Sequence, residues 1–125
     1  MTDVRHEIGR HGEDIAARYL QESGYRLIQR NYRCSLGELD LVAEDGDDLV
    51  FVEVRTKQQP CLFRPEETVS RHKSTRLIRL GEQYLASKNQ QRPWRIDVIA
   101  VELDRQGKLA RIEHFIDATS GVVTA

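Results

Sequence analysis

Two carboxylates of the predicted strands each stand directly between two apolar residues. Asp40 lies within the run from Gly37 to Glu44, and Glu53 interrupts the run from Leu49 to Val54. Burying an ionised carboxylate costs several kcal/mol unless a cation or strong hydrogen-bond donors compensate for the lost water. We therefore expect these two side chains to have a chemical task rather than a purely structural one.

A turn at residues 45–48 joins the two runs into a β-hairpin, because Gly46 can adopt the positive φ that tight turns need. Opposite residues of an antiparallel pair share a face, and the loop decides which residues are opposite. A loop of residues 46 and 47, or of 45–48, sets Asp40 opposite Glu53. A loop of residues 45 and 46 sets Glu38 opposite Glu53 and leaves Asp40 diagonal to it. In each of these registers the numbers of two opposite residues add to an odd total, so we call them odd registers. Each of them predicts a cluster of carboxylates.

Clustered carboxylate oxygens are the ligands that Mg²⁺ or Mn²⁺ prefers, and such an ion can polarise a phosphate and activate water. We predict Asp40, Glu53 and Glu38 as metal ligands. Arg55 and Lys57 follow Glu53 at spacing two, so they point to its face and can offset charge in a transition state. For the remaining hairpin acids, a solvated turn is the simpler interpretation: Glu44, Asp45, Asp47 and Asp48.

A net charge of −1 argues against indiscriminate binding of nucleic acid, but the distribution of charge is uneven. Segment 71–95 is strongly basic, and a helix predicted to start at Ser70 would carry Arg71, Lys73 and Arg76 near its positive N-terminus. These three side chains, with Arg10 on an earlier helix, are candidate phosphate contacts. A solvated helix face explains the same pattern equally well.

The order of elements predicts an α/β fold, a three-layer α/β/α arrangement around a mixed five-stranded sheet. An apolar stripe predicts a first helix over residues 5–22, with Glu13 on the stripe's face toward the sheet. The other predicted elements are a strand at 25–32, the hairpin, a loop at 58–65, a helix from 70, and strands at 94–103 and 109–116. Residues 1–117 form one domain, and 118–125 a loosely held tail.

Composition is that of a soluble, cytoplasmic protein. Hydrophobic residues make up 39% and charged residues 31% of the 125 positions, and no apolar run approaches the roughly 18 residues of a membrane-spanning helix. Acidic residues come too early for a signal peptide. Cys34 and Cys61 lack metal-ligand spacing and are expected to be free thiols. Asp97 has Arg95 as a neighbour on its face, so we favour a structural ion pair there.

The spacing of Asp40 from Glu53-Val54-Arg55 resembles the PD-(D/E)xK pattern of restriction-endonuclease-like nucleases, which include archaeal Holliday junction resolvases. The chain is still more similar to the YraN-like family of bacterial endonuclease-like proteins, over nearly its whole length. Four blocks carry that resemblance: Gly12-Glu13-x-x-Ala16-x-x-Tyr19-Leu20, Gly37-Glu38-Leu39-Asp40, Phe51-Val52-Glu53-Val54-Arg55-Thr56, and Arg95-Ile96-Asp97-Val98.

The resemblance implies a restriction-endonuclease-like fold and hydrolysis of DNA with Mg²⁺ or Mn²⁺, branched DNA included, with Glu13 reaching the metal or ordering a ligand. DNA is then a more natural partner than RNA, no membrane is involved, and a homodimer like that of the resolvases is left open. These nucleases usually have Lys where this chain has Arg55. Arginine stays protonated and is a poor proton shuttle, so Lys57 is a candidate substitute.

Two other functions fit the same residues. One is a nucleic-acid-binding module that keeps the fold without cutting, and the other is an adaptor that uses a strand edge or the loop at Cys61–Phe63 as its contact surface. Metal binding separates them, because the nuclease requires an ion and the adaptor does not.

Overall fold

A computed structural model describes residues 4–68 and 71–119 of the chain, without the side chains of Thr68, Arg71 and His72. These described residues form two long helices, five strands and one short 3₁₀ turn. In chain order these are α1 (Val4–Glu22), β1 (Arg26–Cys34), β2 (Gly37–Asp45), β3 (Asp48–Gln58), the 3₁₀ turn (Pro65–Thr68), α2 (Arg71–Ser87), β4 (Trp94–Leu103) and β5 (Leu109–Phe115).

The five strands form one mixed sheet in the order β1-β2-β3-β4-β5. Neighbours are antiparallel except β3 and β4, which are parallel and joined through α2. α1 and α2 pack against opposite faces of the sheet through two separate hydrophobic clusters. The predicted three-layer α/β/α fold with a mixed five-stranded sheet is therefore confirmed.

The central strand β3 is covered on both faces, as its unbroken apolar run indicates. Val50, Val52 and Val54 pack in the cluster under α1, whereas Leu49 and Phe51 pack in the cluster under α2. Glu53 stands between two residues of the α1 cluster, so the alternation of a strand directs its side chain toward the α2 layer.

Glycine lets each helix come close to β3. A Cβ on Gly12 of α1 would lie 1.8 Å from Oγ1 of Thr56, and a Cβ on Gly81 of α2 would lie 2.8 Å from the ring of Phe51. The absence of a side chain at Gly12 brings the next residue, Glu13, close to the sheet. The position of this acid is thus a consequence of helix packing.

Some predictions concern residues outside the described part of the chain. Ser70, the expected cap of α2, lies between the two described ranges, and positions 120–125 of the predicted tail follow the second one. Just before them the backbone N–H of Ala118 donates to the carbonyl of Ile96 over 2.8 Å, and Thr119 is buried. Within 4–68 and 71–119, no helix has the length and apolar character needed to cross a bilayer.

Candidate functional site

The hairpin turn has the first of the predicted geometries. Asp45 pairs with Asp48, so residues 46 and 47 form the loop, and Gly46 has a φ of 61°. The ladder continues to Leu41 and Val52 in the odd register. The predicted register is confirmed up to this pair, which adjoins Asp40 and Glu53, and a hydrogen bond between those two side chains shows that they lie together.

At Asp40, β2 turns about its own axis and parts from β3. Leu39 packs in the cluster under α2, but Leu41 packs in the cluster under α1, although both would share a face in a regular strand. The ladder between β2 and β3 does not extend past Leu41 and Val52. In its place Oδ2 of Asp40 accepts a hydrogen bond of 2.8 Å from the backbone N–H of Val54. The Asp40 carboxylate therefore lies in the opening between the two strands.

Three carboxylates meet at this opening, and we call Glu13, Glu38 and Asp40 the acidic cluster. One oxygen from each lies within 4.8 Å of the other two, and all three side chains are half-buried. α1 supplies Glu13, and β2 supplies the other two. Glu38 and Asp40, both predicted as metal ligands, therefore lie close together, and Glu13 belongs to the same group of converging oxygens.

Glu53 adjoins the acidic cluster from β3 and is almost fully buried, with 8% of its surface exposed. Burial, a hydrogen bond with Asp40 and repulsion by its charge together raise the pKa of Glu53 to about 9. Lys73 and Arg55 act in the opposite sense. The neutral form of Glu53 is therefore favoured in the metal-free protein, and in that form its hydroxyl donates the hydrogen bond to Asp40.

Glu13 experiences the same crowding more weakly. Burial, followed by the charges of Asp40 and Glu38, raises the pKa of Glu13 to about 7, against the opposing charge of Arg30. Two raised pKa values in one cleft are typical of sites that hold a cation or move protons. Burial is the largest cause of both shifts, and the negative charge of Asp40 raises both pKa values further.

A pocket of about 380 Å³ opens beside the acidic cluster, between the first half of α1 and the strands β1 and β2. The rim of the pocket is basic because three exposed arginines line it, and the floor is acidic because two half-buried carboxylates line it. The lining residues are Arg5, His6, Gly9, Arg10, Glu13, Asn31, Arg33 and Glu38. Arg10, predicted as a phosphate contact, is exposed at this rim.

The predicted cations are distributed over two places. Lys73, at the start of α2, is half-buried and acts on Glu53, whereas Arg76 is exposed on the next turn of the helix. Lys57, at the end of β3, acts instead on Cys61, which hydrogen-bonds Glu102. The side chain of Arg71 lies outside the described residues. The lysine that acts on Glu53 is thus Lys73 and not Lys57. From the sequence alone, Lys73 was predicted as a phosphate contact.

Three of the four acids predicted for a solvated turn have structural partners. Arg92 Nη1 lies 2.6 Å from Glu44 Oε2, and Arg95 contacts Asp45 and Asp48 over 3.2 and 3.3 Å. These contacts use two cations of the basic segment 71–95 to hold the hairpin against β4.

Asp97 is fully buried in a separate polar network. Its carboxylate lies 3.0 Å from Arg95 Nε and 2.7 Å from His114 Nε2, and it accepts a 2.9 Å hydrogen bond from the backbone N–H of Asp117. Burial favours the neutral acid, but these bonds outweigh it and lower the pKa of Asp97. The ion pair with Arg95 agrees with the predicted structural role. The other two partners, His114 and Asp117, are distant in the sequence and were not predicted.

The chain matches one family model over residues 12–101, described as "Uncharacterised protein family UPF0102". Relatives named UPF0102 protein match almost end to end. That of Pelotomaculum thermopropionicum is 48% identical over 94% of this chain and 99% of its own. That of Moorella thermoacetica is 47% identical over 90% and 95%, and that of Dictyoglomus thermophilum 36% identical over 90% and 96%. All four predicted sequence blocks lie inside the matched region.

Proposed function

We propose that this chain, which belongs to the UPF0102 family, is a divalent-metal-dependent nuclease that hydrolyses phosphodiester bonds in DNA. The family is the YraN-like group, so the resemblance seen in the four sequence blocks is confirmed. The observation that carries the nuclease proposal is the meeting of the acidic cluster with Glu53 at the point where β2 parts from β3. Because bacterial DNA lies in the cytoplasm, the proposal includes a cytoplasmic location.

The donor set fits a hard cation. Oxygens of Glu13, Glu38 and Asp40 converge within 4.8 Å, and Mg²⁺ and Mn²⁺ are bound by carboxylate oxygens together with water. Burial, and after it the charge of Asp40, raises the pKa values of Glu13 and Glu53, so their ionised forms are costly without a counter-ion and a bound cation would offset that cost. We assign the ion to Asp40, Glu38 and Glu53, with Glu13 completing the set.

When bound, the ion would polarise the phosphate and lower the pKa of a coordinated water. The chain's own residues supply the rest. Lys73 and Arg55, both acting on Glu53, offset negative charge that develops on the phosphate. A guanidinium is a poor proton shuttle and a lysine amine a better one, so we assign to Lys73 the proton-transfer role that Arg55 does not suit.

The basic residues beside the site favour a polyanionic substrate. Arg10 stands at the rim of the pocket next to the acidic cluster, and Arg76 continues from Lys73 along α2. Cations on both sides of a carboxylate site can hold the phosphates that flank the one being cleaved, while the carboxylates themselves repel phosphate in the absence of metal.

Cleavage of DNA tests the proposal directly. Duplex, single-stranded and four-way-junction DNA are incubated with the protein and Mn²⁺ or Mg²⁺, with EDTA as the metal-free reference. Cleavage should require the ion, and Asp40→Asn should reduce its rate by more than about a hundredfold, because even outer-shell partners of metal ligands typically cost 10–100-fold. Asp47→Asn, in the exposed turn, should cleave as the wild type does. Metal-independent cleavage, or an unchanged rate in Asp40→Asn, would refute the assignment.

Arg55 in the usual lysine position favours a second candidate, the module that binds nucleic acid without cleaving it. Such a protein would bind Mn²⁺ and DNA through the same residues yet leave all three substrates intact. Lys73→Met discriminates further, since it should abolish cleavage by the nuclease while leaving metal binding in place.

A further inference from the structure

We propose that Asn31 is the positioning residue of the acidic cluster, because its side-chain amide ties Glu13 of α1 to Glu38 of β2. The inference rests on the proposed function, in which these two carboxylates contribute to the metal site. Asn31 belongs to neither of the sequence blocks around them.

The backbone at Asn31 is the first reason for this role. Asn31 lies in β1 with a φ of 55°, in the left-handed region that Asn adopts more readily than most residues. Arg30 pairs with Leu41 and Tyr32 pairs with Leu39, but the ladder skips Asn31 and Asp40 between them. The special backbone of β1 therefore coincides with the turn of β2 that points Asp40 into the opening.

The side chain is the second reason. With its nitrogen toward the carboxylates, the Asn31 amide lies 3.1 Å from Glu13 Oε1 and 2.7 Å from Glu38 Oε1, within hydrogen-bond distance of both. The opposite orientation would place the amide oxygen against two acceptors, so the hydrogen-bond network decides the assignment. One NH₂ group, with its two donors, bridges two like charges on different elements.

The bridge matters because the ion pairs near the two carboxylates hold Glu38 and helix α1 separately. Arg33 holds Glu38 over 2.9 Å from the turn side, and Arg30 holds α1 through Asp14 over 2.7 Å. Asn31 alone, among the described hydrogen bonds, joins the helix acid to the strand acid. It thereby fixes the separation that a shared ion requires before the ion arrives.

Calorimetric titration with Mn²⁺ of Asn31→Gly tests the role without straining the backbone, since glycine accepts the positive φ. Asn89→Gly is the matched control, because Asn89 has a φ of 52° and lies beyond the end of α2. We expect Asn31→Gly to weaken Mn²⁺ binding about 10- to 100-fold and Asn89→Gly to bind as the wild type does. Equal affinity of Asn31→Gly and the wild type would overturn the inference and leave the proposed function standing. Failure of the wild type itself to bind Mn²⁺ would overturn both.

A metal-free measurement tests the bridge itself. Melting temperatures are compared for the wild type, Asn31→Gly, Glu38→Ala and the double variant. The hydrogen bonds predict that Asn31→Gly lowers the melting temperature more in the presence of Glu38 than in its absence. An effect of equal size in both backgrounds would show that the amide does not bridge the carboxylates and would overturn the inference.

Discussion

The buried carboxyl of Glu53 links the stability of the metal-free protein to pH. Its folded-state pKa is raised to about 9, chiefly by burial and then by Asp40, whereas the ordinary value is 4.5. Between these values the folded protein binds a proton that the unfolded chain has released. Stability supplied by this group is therefore complete below about pH 4.5 and is lost as the pH rises toward 9.

We predict that Glu53→Gln removes this loss. In the wild type without metal, the contribution of Glu53 should lower the free energy of unfolding by up to about 1.4 kcal/mol per pH unit above pH 4.5. Denaturant unfolding from pH 5 to 9 measures the slope. Glu7→Gln, at an exposed position of α1, is the control and should keep the slope of the wild type. Identical slopes in Glu53→Gln and the wild type would show that Glu53 is ionised in the folded protein.

Some residues of the candidate site could be predicted individually from the sequence, and others could not. Asp40 and Glu53 could be predicted because a charge inside an apolar strand demands compensation. Asn31 could not, since its role depends on a positive φ and on a helix acid contributed from another part of the chain. Lys73 is evident in the sequence as a cation, but only the packing of α2 against the sheet brings it to Glu53.

The position of α1 depends on Gly12 as much as on its apolar stripe. Because a Cβ at residue 12 would collide with Thr56, any larger residue must push the helix away from β3. Such a shift would carry Glu13 away from the acidic cluster. Gly12 thus sets the distance between α1 and β3, and that distance places Glu13 at the acidic cluster.

We predict that Gly12→Ala and Gly81→Ala both destabilise the protein by about 1–3 kcal/mol, as overpacking of a tight contact does. Only Gly12→Ala should also weaken Mn²⁺ binding, since Gly81 packs on Phe51 and Trp94, which take no part in the site. Denaturant unfolding and calorimetry measure the two effects. Equal loss of metal affinity in both variants would mean that it reflects stability alone and not the position of α1.

Elements were predicted closely from the sequence, because periodicity and turn residues fix them locally. The observed hairpin register is one of the two that the short loop allows, and helix α1 was predicted from its apolar stripe. The parting of β2 from β3 at Asp40 could not be predicted, since Leu39 and Leu41 have the spacing of a regular strand and pack on opposite faces. That local turn depends on both helices and on β1 together, which no single stretch of sequence encodes.

Across the whole molecule, charge is divided between structure and surface. Arg92 and Arg95 of the basic segment are engaged with hairpin acids and Asp97, so they stabilise the fold. Arg76 and Arg10 remain at the surface near the site. Net charge is therefore a poor guide to phosphate binding, and the arrangement of a few cations decides it.

We predict that replacing Lys73 and Arg76 by Ala weakens DNA binding and flattens its dependence on salt. For duplex DNA, the slope of log K against log salt should fall by about 0.9 for every phosphate that the variant no longer neutralises. Fluorescence anisotropy at several salt concentrations, in Ca²⁺ or EDTA to prevent cleavage, measures that slope. Arg18→Ala, exposed far along α1, is the control. An unchanged slope in the double variant would move the binding surface away from α2.

Isothermal titration calorimetry at pH 8 with the wild type, Asp40→Asn and Asp47→Asn measures whether the acidic cluster binds Mn²⁺. We expect the wild type and Asp47→Asn to bind the ion and to melt at a higher temperature with it, because a ligand of the folded state stabilises that state. Asp40→Asn should lose most of both responses while remaining folded. No heat of binding in the wild type, or equal binding by all three proteins, would show that the acidic cluster is a structural feature of the sheet and not a metal site.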